Sequence, residues 1–188
     1  MYSTKEYLKH GTLFLLTIVA TTLAGGEWLY GRSVLSLQFS LPFIGILLIH
    51  ELGHLFTSIY HNVRSSLPFF IPAWLGFLGS PSIGTFGAVI QMKGLISSRK
   101  KFFDIGVAGP IAGFVVALAV LFYGFTNLPE ADYIYEIHPE YADPDYVLGE
   151  DEEVMDFELG YNLLFWAMEK ALADPERMPA MSEIIHFP

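Results

Sequence analysis

The sequence predicts an all-α membrane protein with about three transmembrane helices, a re-entrant or membrane-edge β-hairpin and an interfacial C-terminal helix. Three observations carry that expectation. Of 188 residues, 53% are hydrophobic and only 16% charged, against roughly 25% charged in an ordinary soluble domain; mean hydropathy is +0.44. Three stretches long enough to cross a bilayer hold almost no Asp, Glu, Lys or Arg. A fourth uncharged stretch is punctuated by Pro and Gly, which break helices and favour turns. The same composition excludes a disordered chain, a nucleic-acid binder and a typical cytosolic enzyme. Cys is absent, so disulfides, thiolate metal sites and a cysteine nucleophile drop out together.

The first span is expected near residues 10–30. Its core, 10–26, lies uncharged between Lys9 and Glu27, with Trp28 and Tyr30 as interfacial anchors. A secretory signal peptide is the rival reading of this segment, with Lys5 and Lys9 as its basic region. The second span is expected over 33–62, where Glu51 is the single formal charge, and the third over 103–126. Gly106, Gly109 and Gly113 in the third suit close approach of another helix. Residues 65–98 form the hairpin. Pro68, Pro72 and Pro81 argue against a helix there, while residues 85–92 read as a strand. Unpaired strand edges cannot face lipid, so this hairpin must pack on protein or wall a wet cavity.

Charge sets the expected topology. Lys5 and Lys9 precede the first span, Arg64 follows the second, and Arg99, Lys100 and Lys101 precede the third. The positive-inside rule puts all three clusters, and the N-terminus, on the cytoplasmic side of a multi-pass protein. The net charge of −10 is local: 12 of 20 acids fall within 130–158, a segment without Lys or Arg. That acidic loop is expected outside. The domain division is then a transmembrane core over 1–126, the acidic loop over 127–158, and an interfacial helix and tail over 159–188.

Chemistry concentrates in the second span. His50-Glu51-Leu52-Gly53-His54 is HExxH. On a helix this spacing puts both imidazoles on one face, within reach of one zinc ion, with Glu51 beside the metal as general base. A purely structural His–Glu–His set would need hydrogen-bond partners from elsewhere, and ionisable groups within an apolar helix mark function by default. If the helix ran on to Arg64 at the surface, His54 would lie roughly 15 Å beneath it.

Around this motif the chain resembles the site-2 protease family of intramembrane zinc metalloproteases. The likeness rests on His50 to His54, then Leu67-Pro68-Phe69-Phe70-Ile71-Pro72, then Gly84-Thr85-Phe86-Gly87-Ala88-Val89-Ile90. It continues through Phe103-Asp104-Ile105-Gly106-Val107-Ala108-Gly109-Pro110-Ile111-Ala112-Gly113. The resemblance implies zinc held by His50 and His54, catalysis by Glu51, and cleavage of transmembrane protein substrates within the lipid bilayer. It also implies that Gly84, Thr85, Phe86 and Gly87 bind an unwound substrate segment, whose freed backbone groups a strand edge can pair.

The family takes its third zinc ligand from an Asp in an Asn-x-x-Pro…Leu-Asp-Gly segment, and this chain contains no Asp-Gly pair. Asn127-Leu128-Pro129 reads as a turn. His61 sits about 10.5 Å along the helix from His54, too far to share an ion; Asp104 reads as an N-terminal helix residue favoured by the dipole. His10, His138 and His186 have no partner by spacing. The expectation is therefore a truncated form lacking the third ligand. Two alternatives stay open: a non-catalytic relative that binds transmembrane segments without cleaving them, and an unrelated metal-handling membrane protein with a chance HExxH.

Overall fold

The structure is a computed structural model, and it describes residues 2–30, 34–78, 82–94, 96–130, 132–133, 135, 139–143, 162–174 and 177. Its elements are α1 (Thr4–Tyr30), α2 (Leu37–Tyr60), β1 (Phe69–Ala73), β2 (Gly84–Val89), α3 (Arg99–Thr126) and α4 (Leu163–Leu172). Three helices, α1, α2 and α3, are long and apolar enough to cross a membrane. The chain divides into two compact units, one of Met1–Glu27 with Arg32–Leu118 and one of Trp28–Gly31 with Ala119–Pro188.

In the first unit α1 begins at Thr4, six residues before the apolar run, because the sequence Ser3-x-x-Glu6 closes a capping box. The Glu6 amide donates to Ser3 Oγ at 3.2 Å and the Ser3 amide to Glu6 Oε2 at 2.8 Å. Helices α1 and α2 meet along small hydroxyl residues: Thr17, Thr21, Thr22 and Ser40 are buried, and Thr22 Oγ1 donates to Ser40 Oγ at 3.0 Å. Thr17 and Thr21 hydroxyls bond back to Leu13 and Thr17 carbonyls at 2.8 Å, so their burial leaves no orphaned donor.

Helix α2 stops at Tyr60 and does not run on to Arg64. Asn62 takes a left-handed φ of +57°, its amide donates to Ile59 O at 3.0 Å, and the Val63 amide to Ser58 O at 2.8 Å. This is a Schellman cap, with Asn in the position that needs positive φ. The stop corrects the depth of His54: only six residues, about 9 Å, separate it from the helix end.

The hairpin expected over 65–98 is present, with strand boundaries shifted. β1 and β2 pair antiparallel, Phe69 opposite Val89, Phe70 opposite Ala88, Pro72 opposite Thr85 and Ala73 opposite Gly84. β2 ends at Val89 rather than continuing to Met92, which forms an isolated bridge with Ser65. Between Phe70 and Pro72 the register slips: Phe86 and Gly87 together face Ile71, a β-bulge that re-aims the side chains after it. Gly87 adopts φ +99°. Thr85 Oγ1 holds the bulge by donating to Ile71 O at 2.7 Å and accepting from the Gly87 amide at 3.0 Å. The hairpin leans on α1 through Phe70, which meets Phe14 edge-on at 4.9 Å, and through His10 Nδ1, 2.9 Å from Pro68 O. Gly84, at φ +81°, lies so close to α1 that a Cβ would stand 2.5 Å from Ala20 O.

The second unit holds α4, a short helix with no buried residue. Asn162 caps it by accepting from the Phe165 amide at 2.9 Å, and Phe165 packs edge-on to Phe125 at 5.1 Å. The helix expected within 159–188 is thus present over Leu163–Leu172. Most of the acidic segment 130–158, and the tail beyond 177, lie outside the described residues.

Candidate metal centre

Helix α2 places His50 and His54 one turn apart on a single face, where i and i+4 side chains meet. Their Nε2 atoms stand 3.2 Å apart and their rings cross at 73°. His54 Nδ1 lies 2.6 Å from the carbonyl of Ile105 on α3. A carbonyl only accepts, so His54 is protonated at Nδ1 and turns its Nε2 lone pair towards His50. Such a backbone acceptor on the far nitrogen is the usual way a metal-binding imidazole is oriented.

The pair fits zinc by a distance test. Two nitrogens about 2.0–2.1 Å from a tetrahedral ion stand roughly 3.3–3.4 Å apart, and the observed separation is 3.2 Å. Glu51 fits the accompanying base. It is 4% exposed, and its Oε2 has no hydrogen-bond partner; a buried acceptor left so costs about 1–3 kcal/mol. That oxygen needs a donor from the adjoining cavity.

The cavity, about 350 Å³, is lined by His50, Glu51 and His54 on one side and by Ala88, Val89, Ile90 and Met92 on the other. Ile105, Gly106, Ile96 and Phe102 complete it. The hairpin therefore does form a wall of the site, through the residues that follow the bulge. Of the four residues named for substrate binding, Gly84 and Thr85 are buried, Phe86 is 75% exposed, and a Cβ on Gly87 would meet nothing within 4 Å.

α3 presses on the histidines. A Cβ at Gly109 would stand inside van der Waals contact with the His54 ring, and one at Gly113 would lie 3.1 Å from His50 Cβ. Gly53 of α2 is tight as well: a Cβ there would stand 2.6 Å from Ala108 O. Gly106, expected to serve the same close approach, has open space before it and lines the cavity instead.

Asp104 does not open α3, as expected of it, because the helix begins five residues earlier at Arg99; its Oδ2 pairs with His61 Nε2 at 2.9 Å. That pair, with Lys101 Nζ on His61 O at 3.2 Å, ties the end of α2 to the start of α3. Among the described residues no group of three His, Cys, Asp or Glu gathers to hold a metal. His138 and His186 lie outside the described residues. The residue that sequence reasoning missed is Ile105, acting through its carbonyl; the hairpin was expected as a cavity wall, but not which of its residues, Ala88, Val89, Ile90 and Met92, would form it.

Comparison with known proteins supplies the family. The model for Peptidase family M50 matches residues 38–182, from the start of α2 through α4. The chain belongs to Peptidase family M50. M50 peptidases are the zinc-dependent, membrane-embedded site-2 proteases, so the resemblance carried by the sequence blocks holds. "Probable zinc metalloprotease EGY1, chloroplastic" of Arabidopsis thaliana is 34% identical over 106 residues, 56% of this chain and 18% of its own length. The Oryza sativa subsp. japonica protein of the same name is 35% identical over 99 residues, 47% of this chain and 16% of its own. "Probable zinc metalloprotease EGY2, chloroplastic" of Arabidopsis thaliana is 33% identical over 79 residues, 42% and 13% of the two chains. The aligned stretches span less than a fifth of these relatives' lengths. No solved structure matches the M50 chain significantly.

Proposed function

We propose that the chain carries the metal-binding and base-bearing part of a zinc-dependent intramembrane endopeptidase that cleaves transmembrane protein substrates. The observation that carries this reading is the facing pair of Nε2 atoms at 3.2 Å, beside a buried Glu51 with an unpaired oxygen, on a helix apolar enough to span a bilayer. Exposed Leu15, Leu41, Phe56 and Val115 on the three long helices suit contact with lipid tails rather than water. The N-terminus and basic clusters then face the cytoplasm and the acidic segment the other side.

His50 and His54 would hold the ion, and the third ligand comes from outside the described residues. Zinc, when bound, supplies Lewis acidity to a water and to the scissile carbonyl. Glu51 accepts a proton from the attacking water at its unpaired oxygen and delivers it to the departing amine nitrogen, a transfer that needs both within hydrogen-bond reach. The Ile105 carbonyl keeps His54 in the tautomer that leaves Nε2 unprotonated. The edge of β2 away from β1 pairs an unwound substrate segment, Gly87 leaving room for its backbone and Thr85 fixing the bulge that turns Ala88 to Ile90 towards the cavity.

The test is Glu51→Gln in the complete protease. Removal of the base lowers turnover by about 10²–10⁴-fold while bound zinc, measured by elemental analysis, stays at the parent level. Unchanged cleavage by the variant overturns the role of Glu51. A non-catalytic relative that binds transmembrane segments is the second reading, favoured by the lack of a third ligand among the described residues. It requires that the complete, zinc-loaded protein cleave nothing.

A further inference from the structure

At the end of the first unit opposite the α1–α2 connection lies a second cavity, about 590 Å³, separate from the metal centre. It is lined by Tyr2 and Glu6 of the α1 start, by Ile59 and residues 62–65 at the α2 exit, and by Lys93 beyond the hairpin. We infer that this cavity binds the phosphate of an anionic phospholipid. The inference rests on the placement of the helices in a membrane and not on the protease chemistry.

Charge is the first ground. α1 and α3 start, and α2 ends, at this side, and seven of the ten Lys and Arg residues lie there: Lys5, Lys9, Arg64, Lys93, Arg99, Lys100 and Lys101. Within the cavity the Arg64 side chain is exposed and has no acceptor among the described residues. Lys93 spends one of its three N–H donors on Glu6, at 3.0 Å, and stays 45% exposed. Glu6 is already held by Lys93 and by the Ser3 amide, so its charge is compensated and the cationic excess falls on Arg64. Basic pockets between membrane helices on the cytoplasmic side recognise phospholipid head groups in this way.

The second ground is independent of charge. Ser65 lines the cavity, is 6% exposed, and its Oγ has no hydrogen-bond partner. Its neighbours are satisfied: Tyr2 Oη donates to Ser65 O at 3.0 Å, and the Lys93 amide to Arg64 O at 2.7 Å. A buried hydroxyl kept without a partner, beside Arg64 and Ser65 carbonyls that already accept other donors, is a donor waiting for an acceptor. A phosphate oxygen between Arg64 and Lys93 supplies one.

The third ground selects a lipid over a free phosphate. Ile59 is both a wall of the cavity and 57% exposed, and Tyr60 beside it is 80% exposed. The cavity thus opens onto an apolar stretch of α2, where an acyl chain attached to the bound phosphate would lie.

The experiment uses the 188-residue chain purified in a neutral detergent, with bound lipid counted by native mass spectrometry during titration. The probes are dioleoyl phosphatidylglycerol, dioleoyl phosphatidylcholine and inorganic phosphate. The expected result is one site at which phosphatidylglycerol binds about tenfold or more tightly than phosphatidylcholine and is not displaced by millimolar phosphate. Arg64→Gln with Lys93→Gln abolishes the preference, whereas Arg99→Gln with Lys100→Gln, bases on the same side but outside the cavity, keeps it. Ser65→Ala is the sharper probe. It weakens phosphatidylglycerol about three- to tenfold, yet in lipid-free detergent it unfolds no earlier than the parent, because the hydroxyl removed had no partner. Equal binding of the two lipids, a preference that survives loss of Arg64 and Lys93, or displacement by inorganic phosphate each overturns the assignment.

Discussion

Gly109→Ala and Gly124→Ala are the same chemical change on the same helix, and they are expected to act in opposite directions. At Gly124 an added Cβ meets nothing within 4 Å. The methyl there removes glycine's entropic cost and stabilises the helix by about 0.5–1 kcal/mol. At Gly109 the Cβ falls inside van der Waals contact with the His54 ring, and a Cβ has no rotamer by which to retreat. The imidazole must yield by more than about 1 Å to restore an ordinary carbon–nitrogen contact. Doing so strains the 2.6 Å bond from His54 Nδ1 to Ile105 O and the 3.2 Å spacing of the two Nε2 atoms. Overpacking of this kind costs about 1–3 kcal/mol and a lost hydrogen bond about 1 more. Set against the helix-propensity gain, a net loss of about 1–3 kcal/mol remains. Zinc affinity falls further, by about 10–100-fold, the usual penalty for disturbing the partner that orients a metal-binding imidazole. Thermal unfolding in neutral detergent reads the first quantity, and competition with a chromophoric chelator reads the second. The reasoning fails if Gly109→Ala matches Gly124→Ala in stability and the parent in zinc affinity.

Three further outcomes are expected. Thr85→Val keeps the volume but deletes the hydroxyl that bonds Ile71 O and the Gly87 amide; the hairpin loses about 1–2 kcal/mol, visible as faster amide exchange at Gly87 while α2 keeps its protection. Asn62→Gly raises the unfolding temperature and Asn62→Val lowers it, because φ +57° suits glycine and penalises a β-branched residue by about 1–2 kcal/mol; unchanged melting in both would remove the cap from the account. Asp104→Asn costs less than about 1 kcal/mol, since the His61 and Asp104 side chains are 14% and 31% exposed and solvent screens such pairs; a double-mutant cycle with His61→Gln measures it.

How much of this was legible in the sequence depends on whether the cause is local. The HExxH spacing needs only helical periodicity, so the meeting of His50 and His54 follows from residues four apart. The three apolar helices follow from the cost of charge in hydrocarbon. Boundaries were less legible: the α1 start hides in a capping box among polar residues, and the α2 stop depends on one Asn tolerating positive φ. β1 was obscured by Pro72, which argues against a strand yet sits in a two-stranded sheet at an edge. That the hairpin could wall a wet cavity was legible, but not which side chains would do it, because a single bulge at Gly87 decides which of those after it face the histidines. Nor was the role of Ile105, since a backbone carbonyl carries no sequence signature. Asp104 illustrates the same limit: its partner His61 lies 43 positions away, and only the tertiary fold brings them together.

The glycines at the α2–α3 contact have one more consequence. With Gly53 tight against the Ala108 carbonyl, and Gly109 and Gly113 against the two imidazoles, the helices leave no slot on that flank wide enough for a methylene chain. The histidine pair is closed off on that flank and open on the other, where the hairpin lines the cavity. Under the function proposed above, a segment bound for cleavage would come in from the hairpin's direction, and that small sheet rather than the helices would meet it first.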